Sequence, residues 1–356
     1  MFPFSTDILD LQSIVESLPP FFAETLAPLA DRRHLTSRQM QGAMREIMAG
    51  RWNDSQMAEF LTGLRIKGET GEEIAAAAGV LRENMTRLDV PGDEVLDTCG
   101  TGGDGAGTFN ISTAAALVAA GAGVKVVKHG NRAASGQTGS ADVLAALGVE
   151  VDQDPAWSKL CLERTGLAFC FAPRFHPAMR HVAAVRRQLG VRTIFNCLGP
   201  LANPAGAGYQ LLGVGRFEWL DPLAEALCRL GTRRAILVCG QDGLDEVSLT
   251  APTMVREVRD ARIASWEWTA RDFDLAPCAL EELRVKGREE SAARILAILH
   301  GEESAAARMV LANAAAALIA AERVATPMEG VDLARKAITS GKARQVLERL
   351  QGVSAC

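Results

Sequence analysis

From Thr36 onward, apolar residues recur at helical spacing. Thr36 with Gln39 forms a capping box, and Met40, Ala43, Met44 and Ile47 follow on one face. Asp54 is placed to cap the next helix, whose stripe is Met57, Phe60, Leu61 and Leu64. Thr70 and Glu73 form a second capping box ahead of Ile74, Ala77 and Leu81. Pro91-Gly92 then punctuates the chain. This pattern predicts a small all-helical N-terminal domain over residues 1–92.

Beyond Gly92 the period changes. Short apolar runs at Glu94–Asp97, Val124–Lys128, Leu167–Phe171 and Ala235–Cys239 alternate with helical stretches, and a glycine-rich or polar loop follows each run. Such alternation predicts an α/β domain, residues 93–356, with a mainly parallel central sheet flanked by helices. His176 to Gly190 reads as a basic helix with Arg180, Arg186 and Arg187, and Arg192 lies close by. Segment 176–200 is expected to pack back on the helical domain or to form a hinge. In a parallel sheet, ligands sit beyond the carboxyl ends of the strands. The loops there are the places to look for chemistry.

Composition narrows the class. A chain of 356 residues with 48% hydrophobic content supports a sizeable core. The net charge of -5, without a long basic run, weighs against a nucleic-acid partner. The cysteines at 99, 161, 170, 197, 228, 239, 278 and 356 include no C-x-x-C pair, so reduced, mostly buried thiols are expected. Asp7, Asp10 and Glu16 interrupt what a signal peptide would need as an apolar core. Arg308 and Asn313 interrupt the alanine-rich stretch from Ala305 to Ala321, so no membrane span is expected there. A cytoplasmic enzyme follows.

Three loops carry candidate chemistry. The first, Asp97 to Gly105, ends a strand and leads to a helix starting near Asn110-Ile111-Ser112-Thr113. Glycines let backbone N–H groups approach an anion, and the helix N-terminus adds free N–H groups and a positive dipole end. Gly100, Gly102 and Gly105 also match the dinucleotide fingerprint G-x-G-x-x-G. That fingerprint wants an acidic residue at the end of the next strand. Here that strand ends in Lys128, and no Asp or Glu lies between Asp104 and Asp142. A structural glycine turn, capped by Ser112 or Asn110, is the plain alternative.

The second loop runs from Lys128 through His129, Gly130, Asn131, Arg132, Ala133, Ala134, Ser135 and Gly136 to Ser140. A lysine at a strand end, followed by small and hydroxylated residues, makes a second anion cradle. His129 alone reads more readily as a structural residue than as a base. The third loop, Asp242-Gly243-Leu244-Asp245-Glu246, places adjacent carboxylates after a strand. Alone it would be a solvated acidic turn; beside two phosphate cradles it suits Mg²⁺, which shares its shell with substrate phosphates.

Together these stretches resemble the anthranilate phosphoribosyltransferase family. The resemblance rests on Gly100-Thr101-Gly102-Gly103-Asp104, Asn110-Ile111-Ser112-Thr113, Lys128-His129-Gly130-Asn131-Arg132 and Gly243-Leu244-Asp245-Glu246. Phe171-Ala172-Pro173, His176-Pro177-Ala178-Met179, Arg192-Thr193-Ile194-Phe195-Asn196 and Leu198-Gly199-Pro200-Leu201 extend it over nearly the whole chain. It implies transfer of the 5-phosphoribosyl group from 5-phosphoribosyl 1-diphosphate to the amine of anthranilate, in tryptophan biosynthesis. The implied donor residues are Gly100, Gly103, Asp104, Thr108, Asn110, Ile111, Ser112, Thr113, Lys128 to Gly136 and Ser140. The implied acceptor residues are Gly100, Asn131 and Arg186, and the implied metal ligands are Ser112, Asp245 and Glu246. Two Mg²⁺ per subunit and a homodimer through the helical domain are also implied, and no proton-transfer residue is assigned. Two other readings remain: a pyrimidine nucleoside phosphorylase-like enzyme and a noncatalytic nucleic-acid-binding relative. Orthophosphate needs no metal clamp, which favours the transferase, and the negative charge disfavours the nucleic-acid reading.

Overall fold

The computed structural model describes residues 21–90, 94–133 and 138–354. Pro91-Gly92, Ala134 to Gly136, the N-terminal acids Asp7, Asp10 and Glu16, and Cys356 lie outside the described residues. Four helices open the chain: α1 (Phe22–Ala30), α2 (Ser37–Met48), α3 (Asp54–Lys67) and α4 (Gly71–Glu83). The capping boxes at Thr36/Gln39 and Thr70/Glu73 form as the sequence predicts. Asp54 does not cap α3. Asn53 does, accepting from the Gln56 N–H, and Asp54 sits in the first turn, where its charge suits the helix dipole.

A seven-stranded sheet follows, in spatial order β3-β2-β1-β4-β5-β6-β7. Its strands are β1 (Leu96–Gly100), β2 (Val126–Gly130), β3 (Leu167–Phe171), β4 (Tyr209–Gly213), β5 (Arg234–Gly240), β6 (Thr253–Arg259) and β7 (Arg262–Trp268). Strands β1 to β5 are parallel, while β6 and β7 extend one edge as an antiparallel hairpin. The first two strands run to Gly100 and Gly130, further than the apolar runs suggested. Glycine there still pairs: Gly100 aligns with Gly213 and Gly130 with Phe171.

Helices cover both faces of the sheet. They are α5 (Ile111–Gly121), α6 (Ser140–Ala146), α7 (Pro155–Thr165), α8 (Arg180–Leu189), α9 (Leu220–Arg229), α10 (Arg288–Leu299), α11 (Ala305–Ala320), α12 (Pro327–Thr339) and α13 (Lys342–Ser354). Small side chains bring several of them close. A Cβ on Gly330 of α12 would stand 2.7 Å from the Ala315 Cβ of α11, so that crossing needs glycine. The alanine-rich stretch of α11 is buried core, and no helix among the described residues is long and apolar enough to cross a membrane.

The basic helix α8 packs on α3 and α2. One apolar cluster joins Phe60, Leu61 and Leu64 of α3 to Val182, Val185, Phe195 and Leu198, and onward to Leu220 and Leu223 of α9. The small helical domain and the large α/β domain thus share a continuous core. Among the described cysteines, all seven are free, five of them buried.

Candidate functional site

The carboxyl ends of β1, β2, β4 and β5 lie along one edge of the sheet, and the predicted loops meet there. The loop after β5 folds back across the ends of β4 and β1. Glycines make this crossing possible. A Cβ on Gly213 would overlap the carbonyl of Asp245, and one on Gly100 would stand 2.5 Å from Asp245 Oδ2. Asp245 Oδ2 accepts the Gly102 N–H at 3.0 Å, and Glu246 Oε1 accepts the Ser112 N–H at 3.1 Å. The predicted metal residues are therefore brought together, at the glycine loop and at the N-terminus of α5.

The glycine loop itself is a chain of left-handed turns. Gly102, Gly103, Gly105 and Gly107 have φ of 69°, 70°, 75° and 70°. Successive residues of this kind turn their N–H groups toward one concave side, a nest suited to an anion. Asp104 Oδ1 accepts the Ala106 N–H, and the backbone near Thr108 pairs with Leu283, Arg284 and Val285. Asn110 precedes α5 without capping it through its side chain. Its Oδ1 instead accepts Thr138 Oγ1 at 2.7 Å and Ser291 Oγ at 2.9 Å, which ties the first loop to the second. Ile111 and Thr113 are buried in the first turn of α5.

The second loop divides between the two faces of the sheet. Adjacent strand residues point opposite ways. Lys128 reaches over β1 to the Thr98 carbonyl and to Ser112 Oγ at 3.2 Å. His129 turns to the other face, where its Nδ1 meets the Gly199 carbonyl at 3.0 Å and its ring lies 4.9 Å from His176. A carbonyl only accepts, so Nδ1 carries the proton and Nε2, which has no partner among the described residues, is bare. Burial pushes the His129 pKa down to about 3, helped by His176, and the His176 pKa down to about 4. Both rings are neutral near pH 7. The reading of Lys128 and His129 as one cradle is thereby corrected: only the lysine side chain faces the acid pair.

Asn131, Arg132 and Ala133 are exposed at the mouth of this loop. Asp142 holds the loop by accepting the Ala133 N–H at 2.9 Å and the Gly139 N–H at 3.0 Å. Ser140 Oγ sits over Gly130, where a Cβ would overlap it. Arg186 is half-buried on α8, its guanidinium 5.5 Å from the centre of the Phe195 ring. Among the described residues, no hydrogen bond or ion pair joins Arg186 to either loop.

The acids are electrically frustrated. Burial, then the neighbouring Asp104, raises the Asp245 pKa to about 7. Burial, then Asp245, raises that of Glu246 well above the carboxylate range. Burial lowers that of Lys128, against the pull of these and other acids. Asp242, the first acid of the predicted stretch, does not join them. It accepts Ser248 Oγ at 2.6 Å, Thr250 Oγ1 and the Leu244 N–H, and so closes its own turn.

Sequence reasoning missed the residues that hold the loops. Asn313, buried in α11, grips Val247 next to the acid pair, and Ser291 and Asp142 brace the two glycine loops. A lone amide in an alanine-rich helix was the available signal, because buried amides are hydrogen-bonded.

A helical domain joined to a mainly parallel sheet, with a glycine nest, a buried lysine and a carboxylate pair at its strand ends, is suited to binding a phosphorylated ligand. The helical bundle domain of the glycosyl transferase family matches residues 23–85, and the family's a/b domain matches residues 92–344. An anthranilate phosphoribosyltransferase of Symbiobacterium thermophilum is 49% identical over 92% of this chain and 96% of that relative. The crystal structure of the anthranilate phosphoribosyltransferase from Thermus thermophilus superposes with a TM-score of 0.88 at 44% identity, over 93% of this chain and 99% of that one. That from Saccharomyces cerevisiae, in complex with PRPP and Mg, superposes with a TM-score of 0.87 at 28% identity, over 95% and 99%. The chain belongs to the anthranilate phosphoribosyltransferase family of glycosyl transferases.

Proposed function

We propose that the chain transfers the 5-phosphoribosyl group from 5-phosphoribosyl 1-diphosphate to the amine of anthranilate, releasing diphosphate, as a step of tryptophan biosynthesis. One observation carries the reading: Asp245 and Glu246 bond to the Gly102 and Ser112 N–H groups, inside an anion cradle. Carboxylates there would repel a bare phosphate. They suit one that arrives with a cation.

The donor set fits a hard cation: two carboxylates and the Ser112 hydroxyl, all oxygen. Ser112, Asp245 and Glu246 would hold Mg²⁺, which when bound supplies charge to the leaving diphosphate. We assign two such ions per subunit, as the family resemblance implies.

The chain's own groups do the rest. The N–H groups of the glycine loop and of the α5 N-terminus that Asp245 and Glu246 leave open hold the phosphates of the donor, and Lys128 adds charge from beneath. The amine's lone pair forms the C1–N bond while the C1–O bond breaks, its electron pair leaving with diphosphate. One amine proton goes to solvent. Arg186 offers a planar fork to the carboxylate of anthranilate, with Gly100 and Asn131 lining the same side. Positioning two bound substrates supplies much of the acceleration. We place the domain boundary at residue 92 and assign a homodimer through the helical domain, where Ile66 on α3 is 60% exposed.

The test mixes the protein with anthranilate, 5-phosphoribosyl 1-diphosphate and Mg²⁺ and follows anthranilate fluorescence. Loss that requires both donor and metal is expected. No loss, with the donor still bound, would remove anthranilate as the acceptor.

A further inference from the structure

Arg192 lies between α8 and the short turn at Phe195–Leu198, beside the glycine loop. Its Nη2 stands 2.7 Å from the point a Cβ on Gly103 would occupy. Its guanidinium carbon is 5.9 Å from the centre of the Trp219 ring, and its carbonyl accepts Arg65 Nη1 of α3 at 3.1 Å. Among the described residues, Nη1 is buried and has no hydrogen-bond partner. The nearby acid, Glu218, pairs with Arg216 instead.

A guanidinium cannot shed its proton, so burial leaves it no route to neutrality. A buried charged donor without an acceptor is costly, and such a group persists where a ligand supplies the acceptor. The glycine loop indicates which ligand. Gly102 is bound by the Asp245 carboxylate, while the next residue, Gly103, touches a guanidinium. An anion seated on this nest would meet the metal-binding acids on one side and Arg192 on the other. A side chain at Gly103 would displace the guanidinium, which gives that glycine a reason beyond its left-handed φ.

We propose that Arg192 is a donor-binding residue that hydrogen-bonds the diphosphate end of 5-phosphoribosyl 1-diphosphate at Gly103. The proposal rests on the function proposed above. Because Arg65 of the helical domain holds the Arg192 carbonyl, this contact also ties donor binding to the seat of that domain.

The test is isothermal titration of the full chain with 5-phosphoribosyl 1-diphosphate and Mg²⁺, without acceptor, for the wild type, Arg192→Gln and Arg192→Lys. Loss of one charge-assisted contact predicts donor binding weaker by about tenfold or more in Arg192→Gln, with a smaller loss in Arg192→Lys. The Michaelis constant for anthranilate is expected to stay within about twofold, since the acceptor does not meet this contact. Donor binding at wild-type strength in both variants overturns the proposal. So does an equal rise in the donor and acceptor constants, which would mark a structural role for the Trp219 contact. If Arg192→Gln does not fold, Arg192→Lys decides between these outcomes. A wild type that binds no donor defeats the proposed function itself, a different result from a variant that binds as well as wild type.

Discussion

Asn313 closes both backbone polar groups of Val247. The Val247 N–H donates to Asn313 Oδ1 at 2.8 Å, and the Val247 carbonyl accepts from Nδ2 at 2.9 Å. Val247 follows Glu246 directly, so a helix from the far end of the chain fixes where the acid pair points. Replacing Asn313 by leucine keeps the volume roughly constant but leaves two buried backbone groups unpaired, at about 1–3 kcal/mol each. Asn313→Leu is expected to melt earlier and to need more Mg²⁺ for half-maximal turnover. Thermal denaturation and a magnesium titration check this; a wild-type melting temperature would remove Asn313 as the anchor.

Asp245→Asn separates stability from activity. The carboxylate is already disfavoured by burial and by Asp104. An asparagine still accepts the Gly102 N–H but brings no charge. The variant is expected to fold at least as stably as wild type and to lose most metal-dependent turnover. Equal turnover across a magnesium titration would count against the metal role.

The helical half is legible because its signals are local. A capping box needs only four residues, and those at Thr36 and Thr70 can be read directly. The cap expected at Asp54 is displaced by one residue, since Asn53 with Gln56 makes the same box. The β6–β7 hairpin escapes the sequence pattern for a physical reason: Asp260 and Ala261 take the left-handed turn, so no glycine marks it. At the site, the loops that touch phosphate announce themselves through glycine, while their supports do not. Asn313 lies 66 residues from Val247, and Asp142 resembles any exposed helix-start acid. Nor does a sequence motif say which face of a strand a side chain takes, which is why Lys128 and His129 look like one cradle until the strand is built.

Arg186→Ala tests the acceptor site. The guanidinium rests on the Phe195 ring, and burial lowers its pKa without bringing an acid to it. A planar fork without a carboxylate partner among the described residues fits the carboxylate of anthranilate. The Michaelis constant for anthranilate is expected to rise about tenfold or more, from one lost bidentate contact, and that for the donor to stay within about twofold. Arg186→Lys recovers little, because it keeps the charge but not the fork. Equal effects on both constants would take Arg186 out of the acceptor site.

The His129–His176 pair predicts an acid limb in stability. Their folded pKa values, about 3 and about 4, lie below the ordinary value of 6.5. The unfolded chain therefore takes up more protons than the folded one as pH falls through 6.5. Stability is lost progressively from there down to the folded values, by up to roughly 2 kcal/mol per ring at pH 5. Asp245 and Glu246, whose folded pKa values are raised, act in the opposite sense over this range. The histidine pair is therefore read from the slope of the denaturant midpoint between pH 7 and pH 5, compared between wild type and variant. In His176→Phe that slope should be shallower, since one titrating ring is gone and its repulsion on His129 with it. A slope unchanged in the variant would place the acid sensitivity elsewhere.

Glu73 holds the turn between α3 and α4 through an ion pair with Lys67, whose side chains are 0% and 1% exposed. One carboxylate oxygen takes the Leu35 N–H at 2.7 Å; the other takes Lys67 Nζ at 2.7 Å and both donors of Thr70. Lys67 Nζ also meets the Gly68 carbonyl at 2.6 Å and His34 Nδ1 at 3.1 Å, so its three N–H bonds are all used. Breaking such a pair from one side leaves a buried charge, at about 3–5 kcal/mol. Glu73→Gln is expected to lower stability by that order while Lys67→Met/Glu73→Gln recovers much of it, because the second change removes the stranded ammonium. Denaturant unfolding of the two variants measures the difference. If the double variant is no more stable than the single one, the loss comes from the Leu35 and Thr70 bonds, and the ion pair is not what secures this turn.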